Sequence, residues 1–340
     1  MRARGITYDT GFLSDGRNSR PHFDLARVAP ELAIIRDDLH CTAVQITGGD
    51  PGRLEQAARR AVELGLEVWI SPYPIQLTRE ETLALLVDCA ERAERLRACG
   101  ANVVFVTGVE LSLMIHGFFE GDDVDARLAN VLERPESRGE RIAEANDRLA
   151  VFLRTAVDAV RARFRGRVTY AAIPFERVDW ELFDLVTVEL IRSAEVADQF
   201  RDGVRSLVAT GRPVAITGFG TACWRGAPDV APRSMEIIER DAGGAPVRLT
   251  GAPVRDEEGQ ARYLREVLDI LDEEGVDSAF VFLFALDDLP HRPDGDPGLD
   301  LDLASLGIVR VLEGRTGTTY PDMPWDPKAA FAALAEVYDR

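Results

Sequence analysis

An α/β fold closed into a single (β/α)8 barrel is what this sequence predicts, and three observations carry it. Short apolar, β-branched runs alternate with long amphipathic segments through the whole chain, as repeated βα units around a parallel sheet require. Eight such units can be counted, which suits a closed barrel better than an open doubly wound sheet. No glycine-rich phosphate fingerprint follows the first strand, which weakens the open-sheet alternative further. At 340 residues the chain has room for two average domains, but α/β barrels of this size fold as one, so residues 1–340 are expected to form a single domain.

The strands are expected in order at GITYD (5–9), TAVQIT (42–47), EVWISP (67–72), NVVFVTG (102–108), VTYAAI (168–173), LVTVELI (185–191), PVAITGF (213–219) and AFVFLFA (279–285). Between them the helices carry their own punctuation. Thr78-Arg79-Glu80-Glu81 is a capping box that opens a helix running to about Cys99 and stopping at Gly100. Gly65, Gly166, Gly211 and Gly275 stand after helical patterns and directly before strands, where C-terminal caps belong. RVDWELFD (177–184) reads as a short helix with Trp180 and Phe183 packing down. The final helix is expected to start at Asp326-Pro327, an N-cap followed by proline in the first turn.

Composition narrows the partners. A formal net charge of −18 repels nucleic acid and anionic membranes, so a small molecule is the expected partner, either neutral or met in a pocket whose charge differs from the average. Lys328 is the only lysine, and almost all positive charge is arginine. MRARGITYDTGF (1–12) enters a strand pattern with no apolar signal-peptide core, so a cytoplasmic location is expected. The longest strongly apolar run, SAFVFLFAL (278–286), is far too short to span a bilayer. Cys41, Cys89, Cys99 and Cys223 have no metal-type spacing and the histidines are scattered, so neither a metal site nor a disulfide framework is signalled, and no cofactor is expected. The first three cysteines read as buried thiols. Oligomeric state is left open.

In such a barrel, chemistry sits at the C-terminal ends of the strands and in the loops after them. The connections at 111–137 and 220–254 are long, which suits a lid or a substrate-shaping role, or else plain surface excursions. Candidates at the strand ends are Asp9, Gln45, Trp69 with Tyr73, Glu110, Glu176, Glu189, Gly218 with Cys223, and Asp287 with Asp288. Glu110 follows VVFVTG directly, where apolar neighbours raise a carboxyl into an acid/base range; the alternative is an ion pair with a barrel arginine. Glu189 sits in a run that looks buried on both faces, so its charge is paired, functional or turned into the mouth, and alternation with Val186 and Val188 does not decide which.

Glu176 reads equally as a site acid or a helix-start acid. Asp287 and His291 can transfer a proton or hold a hydroxyl, although the loop around them is rich in turn formers. Asp9 can bind substrate or pin barrel closure. Trp69, Tyr73 and Trp224 suit a stacking platform or ordinary packing.

With these residues in place, the strand ends resemble the clan A glycosidase superfamily of TIM barrels. That resemblance implies an acid/base glutamate after strand 4, usually as Asn-Glu, and a nucleophilic glutamate at strand 7, often within TEFG. Here TGVE puts Glu110 in the acid/base position, and ITGFG puts Gly218 where the nucleophile would stand. The chain is also similar to a bacterial group of barrel proteins often labelled abortive-infection proteins, through GFGTACWRGA (218–227) and DLDLASLG (300–307). Three departures cluster around one centre: Gly218 for the nucleophile, Val109 for the asparagine, and Gln45 where many members have an arginine.

Glycine cannot attack, so two-carboxylate retaining hydrolysis is not expected. The expected activity is general acid/base conversion of a small molecule, such as a cyclisation, elimination or isomerisation in secondary metabolism, with Glu110 and Glu189 as the catalytic pair. An inverting glycoside hydrolase is the first alternative and a non-catalytic binding barrel the second. A Mg²⁺ site made of Glu110, Glu189 and Asp287 ranks last, for lack of any spacing motif.

Overall fold

The computed structural model describes residues 1–340 except 15, 133, 134 and 242, so 133 and 134 of the first long loop and 242 of the second lie outside the described residues. Eight parallel strands close into a barrel: β1 (Ala3–Asp9), β2 (Ala43–Gly48), β3 (Glu67–Pro72), β4 (Val103–Val109), β5 (Arg167–Ala172), β6 (Val186–Glu189), β7 (Val214–Phe219) and β8 (Ser278–Val281). Each pairs with its sequence neighbours, and β1 pairs with both β2 and β8, as the alternation of runs predicts.

The helical layer is made chiefly of α1 (Leu25–Asp37), α2 (Pro51–Glu63), α3 (Arg79–Ala98), α6 (Arg138–Arg161), α7 (Ala197–Val208), α8 (Glu257–Glu273) and α9 (Ala329–Tyr338). Two shorter helices, α4 (Leu111–Met114) and α5 (Val124–Leu132), lie in the loop after β4. The capping box at Thr78 forms as expected, with Thr78 and Glu81 exchanging backbone bonds.

The short helix expected between β5 and β6 is present as a single 3-10 turn, Trp180–Leu182, with Phe183 buried and Trp180 meeting it edge-on at 5.9 Å. Several local expectations need correction. Asp326 does not cap the last helix. Trp325–Pro327 pairs with Val309–Val311 instead, Asp326 accepts from the backbone of Thr318 and Thr319, and α9 starts after Lys328. Cys99 is exposed rather than buried, because it lies past the end of α3; Cys41 and Cys89 are buried. The loop at 220–254 is folded into a 3-10 stretch, Ala227–Arg233, and a hairpin of Ile238–Arg240 with Pro246–Leu249. Among the described residues, no helix is long and apolar enough to cross a membrane.

The barrel interior is layered. At the N-terminal end Trp69 stacks near Phe280 with centroids 4.7 Å apart, and Gly5 leaves the space that Phe280 fills, since a Cβ there would meet the ring at 2.3 Å. Above this apolar layer lies a polar one. Thr7 donates to Gln45, Gln45 donates to Ser71, and the hydroxyls of Thr169 and Thr187 lie 2.7 Å apart. The period of two then sends the next residue of β6, Glu189, inward above Leu185 and Thr187, while Val186 and Val188 pack outward into the main core.

Candidate active site

Three glutamates meet at the C-terminal mouth on the β4–β6 side. Glu110 directly follows β4, held by its N–H donating to Ala171 O at 3.0 Å. Its backbone lies in the left-handed region (φ 49°, ψ 37°), an unfavourable conformation for a residue with a Cβ, and its carbonyl starts α4. Because its side chain does not cap α4, the carboxyl group is left for other uses.

Glu176 does the holding. It accepts from Ser112 N at 3.0 Å, from the Tyr170 hydroxyl at 2.9 Å and from Ile173 N at 3.1 Å, while Tyr170 accepts from Leu111 N at 2.9 Å. The first turn of α4 is thereby fastened to β5, and Glu110 with it. Burial raises Glu176 above the usual carboxylate range despite these donors. On the far side, fully buried Arg127 donates to the Leu113, Met114 and Gly121 carbonyls and organises the rest of the loop.

Glu189 ends β6 and is 9 % exposed. Its Oε1 accepts a short hydrogen bond from Thr217, its register partner on β7. Its Oε2 occupies the space beside the next residue of β7: a Cβ built on Gly218, whose φ is 72°, would lie 1.3 Å from that oxygen. The glycine that ends ITGFG therefore admits the carboxylate of the neighbouring strand.

Electrostatics set these acids apart. Glu110 is pushed well above the usual range by desolvation among surrounding protein atoms, although part of its surface stays open, and then by the charges of Glu189 and Glu176. Glu189 is raised to about 7 by burial, with Thr217 opposing and Glu176 adding to the rise. Tyr73, in the loop after β3, is likewise raised well above its usual value by burial and then by the charges of Glu110 and Glu189. Among the described residues no arginine or lysine pairs with Glu110, Glu176 or Glu189; Arg192, three residues past Glu189, turns outward to Glu266 at 3.3 Å. The wall opposite is aromatic. Phe12 meets Tyr73 edge-on at 5.0 Å and Phe282 at 6.2 Å.

The other candidates are placed elsewhere. Asp9 accepts from Gly11 N and the Ser19 hydroxyl, both at 2.6 Å, so it pins the loop after β1; burial still raises it to about 7. Gln45 lies a layer below, held by Thr7 and Ser71. Trp69 is fully buried and donates to Glu67 at 2.8 Å, facing the N-terminal end and away from the mouth. Asp287 is bound by both terminal nitrogens of Arg27 at 2.7 and 2.8 Å.

Cys223, Trp224 and His291 belong to a network under the loops after β7 and β8. Arg255 bridges Asp300 and Asp302 at 2.8 Å each and approaches the Cys223 sulfur and His291 Nδ1, Lys328 lies 2.9 Å from Asp302, and Trp224 donates to Ser234 O at 2.9 Å. Burial raises the Cys223 thiol to about 11. Sequence reasoning missed Thr217, Phe12, Phe282 and Tyr170. The only usable signal was the register that sets Thr217 beside Glu189.

Among the described residues no three His, Cys, Asp or Glu side chains converge as a metal cage requires. A cavity of about 430 Å³ opens between α7, α8 and the loop after β7, and none of the three glutamates lines it.

Comparison with known proteins supports the fold alone. No protein-family model matches the chain, and no curated protein does. Solved structures do match. A GH113 β-1,4-mannanase superposes with a TM-score of 0.59 at 14% identity, over 99% of this chain and 98% of its own. The GH113 β-mannanase of Alicyclobacillus acidocaldarius gives 0.55 at 13%, over 99% and 97%. Cel5A of Thermotoga maritima gives 0.53 at 11%, over 89% and 97%. The fold is a (β/α)8 TIM barrel similar to those of glycoside hydrolases.

Proposed function

We propose that the protein is a general acid/base enzyme acting on a small molecule, with Glu110 as the acid and Glu189 as the base. One observation carries this reading: two desolvated carboxyl groups, Glu110 raised further by the charge of Glu189 and neither paired with a cation among the described residues, at the C-terminal end of a barrel. Burial raises Glu110 well above the usual carboxylate range and Glu189 to about 7, which suits carboxyl groups that give up and take back a proton. Positioned proton transfer contributes about 10² to 10⁴-fold, enough for cyclisation, elimination or isomerisation of a reactive substrate. Glu176, saturated with donors, acts as a positioning residue.

Glycoside hydrolysis is the second reading, favoured by one specific observation. The Glu189 carboxyl stands at Gly218, the strand-7 point at which the resemblance to clan A expects a second carboxylate.

The test uses two probes. With 5-nitrobenzisoxazole, a neutral compound that any desolvated carboxylate base opens by elimination, we expect a rate that rises with an ionisation near pH 7 and falls at least about a hundredfold in Glu189→Gln. A rate equal in the wild type and this variant overturns the base assignment. Hydrolysis of 4-nitrophenyl β-glycosides that disappears in Glu110→Gln decides for the second reading instead.

A further inference from the structure

Resting on the acid/base reading of this mouth, we infer that its substrate carries an ammonium group, seated between Glu110 and Glu189 and against the rings of Tyr73, Phe12 and Phe282. The argument begins with what the mouth lacks. Three carboxyl groups act on one another there, and among the described residues none has a cation beside it. Elsewhere at this end of the barrel several acids do have cations beside them: Arg27 pairs with Asp287, and Arg255 and Lys328 with Asp300 and Asp302.

Free acceptors remain in the mouth as well. Glu189 is nine-tenths buried, and its Oε2 receives no hydrogen bond from the described residues. The Glu110 carboxyl does not cap α4 and, among the described residues, receives no hydrogen bond either. Glu176 is saturated by three donors and supplies field only.

An anionic ligand would meet like charge on any of these carboxyl groups that ionises, and a neutral polyol supplies no counter-charge to it. A metal ion would need convergent ligands, which these residues do not form. A compact ammonium fits on both sides: its N–H donors suit Glu110 and Glu189 Oε2, and its charge is attracted to the faces of nearby aromatic rings. Tyr73 links the two walls, since its hydroxyl feels both glutamates and its ring touches Phe12.

The experiment compares trans-2-aminocyclohexanol with trans-1,2-cyclohexanediol, which differ by ammonium for hydroxyl. Calorimetric titration of the full chain in 0.2 M salt suppresses weak attraction to the acidic surface as a whole. We expect the amine to bind at least about tenfold more tightly than the diol. That advantage should vanish in the Glu110→Gln/Glu189→Gln double variant and persist in Glu140→Gln, an exposed acid at the start of α6. Equal binding of the two probes, binding of neither, or an amine preference that survives in the double variant overturns the inference. The readout is binding alone, so a loss of elimination activity in Glu189→Gln with no amine preference would fail the inference and leave the acid/base reading standing.

Discussion

Glu67 and Glu189 occupy opposite ends of the same barrel interior. Glu67 is the first residue of β3 and 7 % exposed; Glu189 is the last of β6 and 9 % exposed. Equal burial has produced opposite acids. Around Glu67 stand Arg2 at 2.6 Å, Arg167 at 3.1 Å, Asn102 at 2.5 Å and the Trp69 indole at 2.8 Å. Burial works against its ionisation, but Arg2 and Trp69 as donors, and Arg2 and Arg167 as charges, outweigh it and hold Glu67 below the usual range. Glu189 has one hydroxyl donor and no cation, and it rises to about 7. Burial alone therefore does not set the acidity; the presence or absence of a counter-charge and of donors decides its direction.

The largest expected difference is in stability. Glu67→Ala should cost about 2 to 3 kcal/mol in denaturant unfolding, below the figure for fully buried pairs because Arg2 and Arg167 are more than a third exposed. Glu189→Gln should leave stability unchanged or raise it. Equal losses in the two variants would erase the contrast.

Next comes Gly218→Ala. Its Cβ falls on the Glu189 carboxyl and its backbone is left-handed, so unfolding should show a loss of about 2 kcal/mol or more. In a Glu189→Ala background the loss should shrink to the conformational cost, about 1 kcal/mol. Additive losses would mean that the two positions do not compete for space.

The smallest effect is the pH dependence, and the two acids give opposite signs. Because the folded-state value of Glu189 is raised from 4.5 to about 7, its contribution to stability is complete below pH 4.5 and is lost as pH rises through 7. Glu67 is lowered, so its contribution is present above 4.5 and is lost as pH falls through its folded value. Melting profiles of Glu189→Gln should therefore lose part of the decline between pH 5 and 7 that the wild type shows. The comparison must be by difference, since Asp9, at about 7, and Asp288, at about 6, share the sign of Glu189.

The barrel was legible in the sequence because eight apolar runs and their helix caps repeat one signal, and no single run had to be read correctly. The mouth was legible only in part. Glu110 was readable from its place after an apolar strand, but the direction of Glu189 was not, since four residues of strand offer too little alternation and its partner lies 28 residues away. Trp69 looked like a ligand platform from composition, yet it lies two residues after Glu67 and shares that residue's inward, downward face. Asp287 looked available because Arg27, its partner, is 260 residues distant. Glu67 passed unnoticed for the same reason: three of the four groups that hold it come from other strands or from a strand's approach.

The contact between Glu189 and Gly218 also bears on how this fold can vary. Residues 189 and 218 lie on adjacent strands but claim a single volume, so a side chain can fill it from one strand or from the other and never from both. Substitutions at the two positions are therefore expected to depend on one another. A relative with a carboxylate at 218 needs a small residue, or a side chain turned away, at 189.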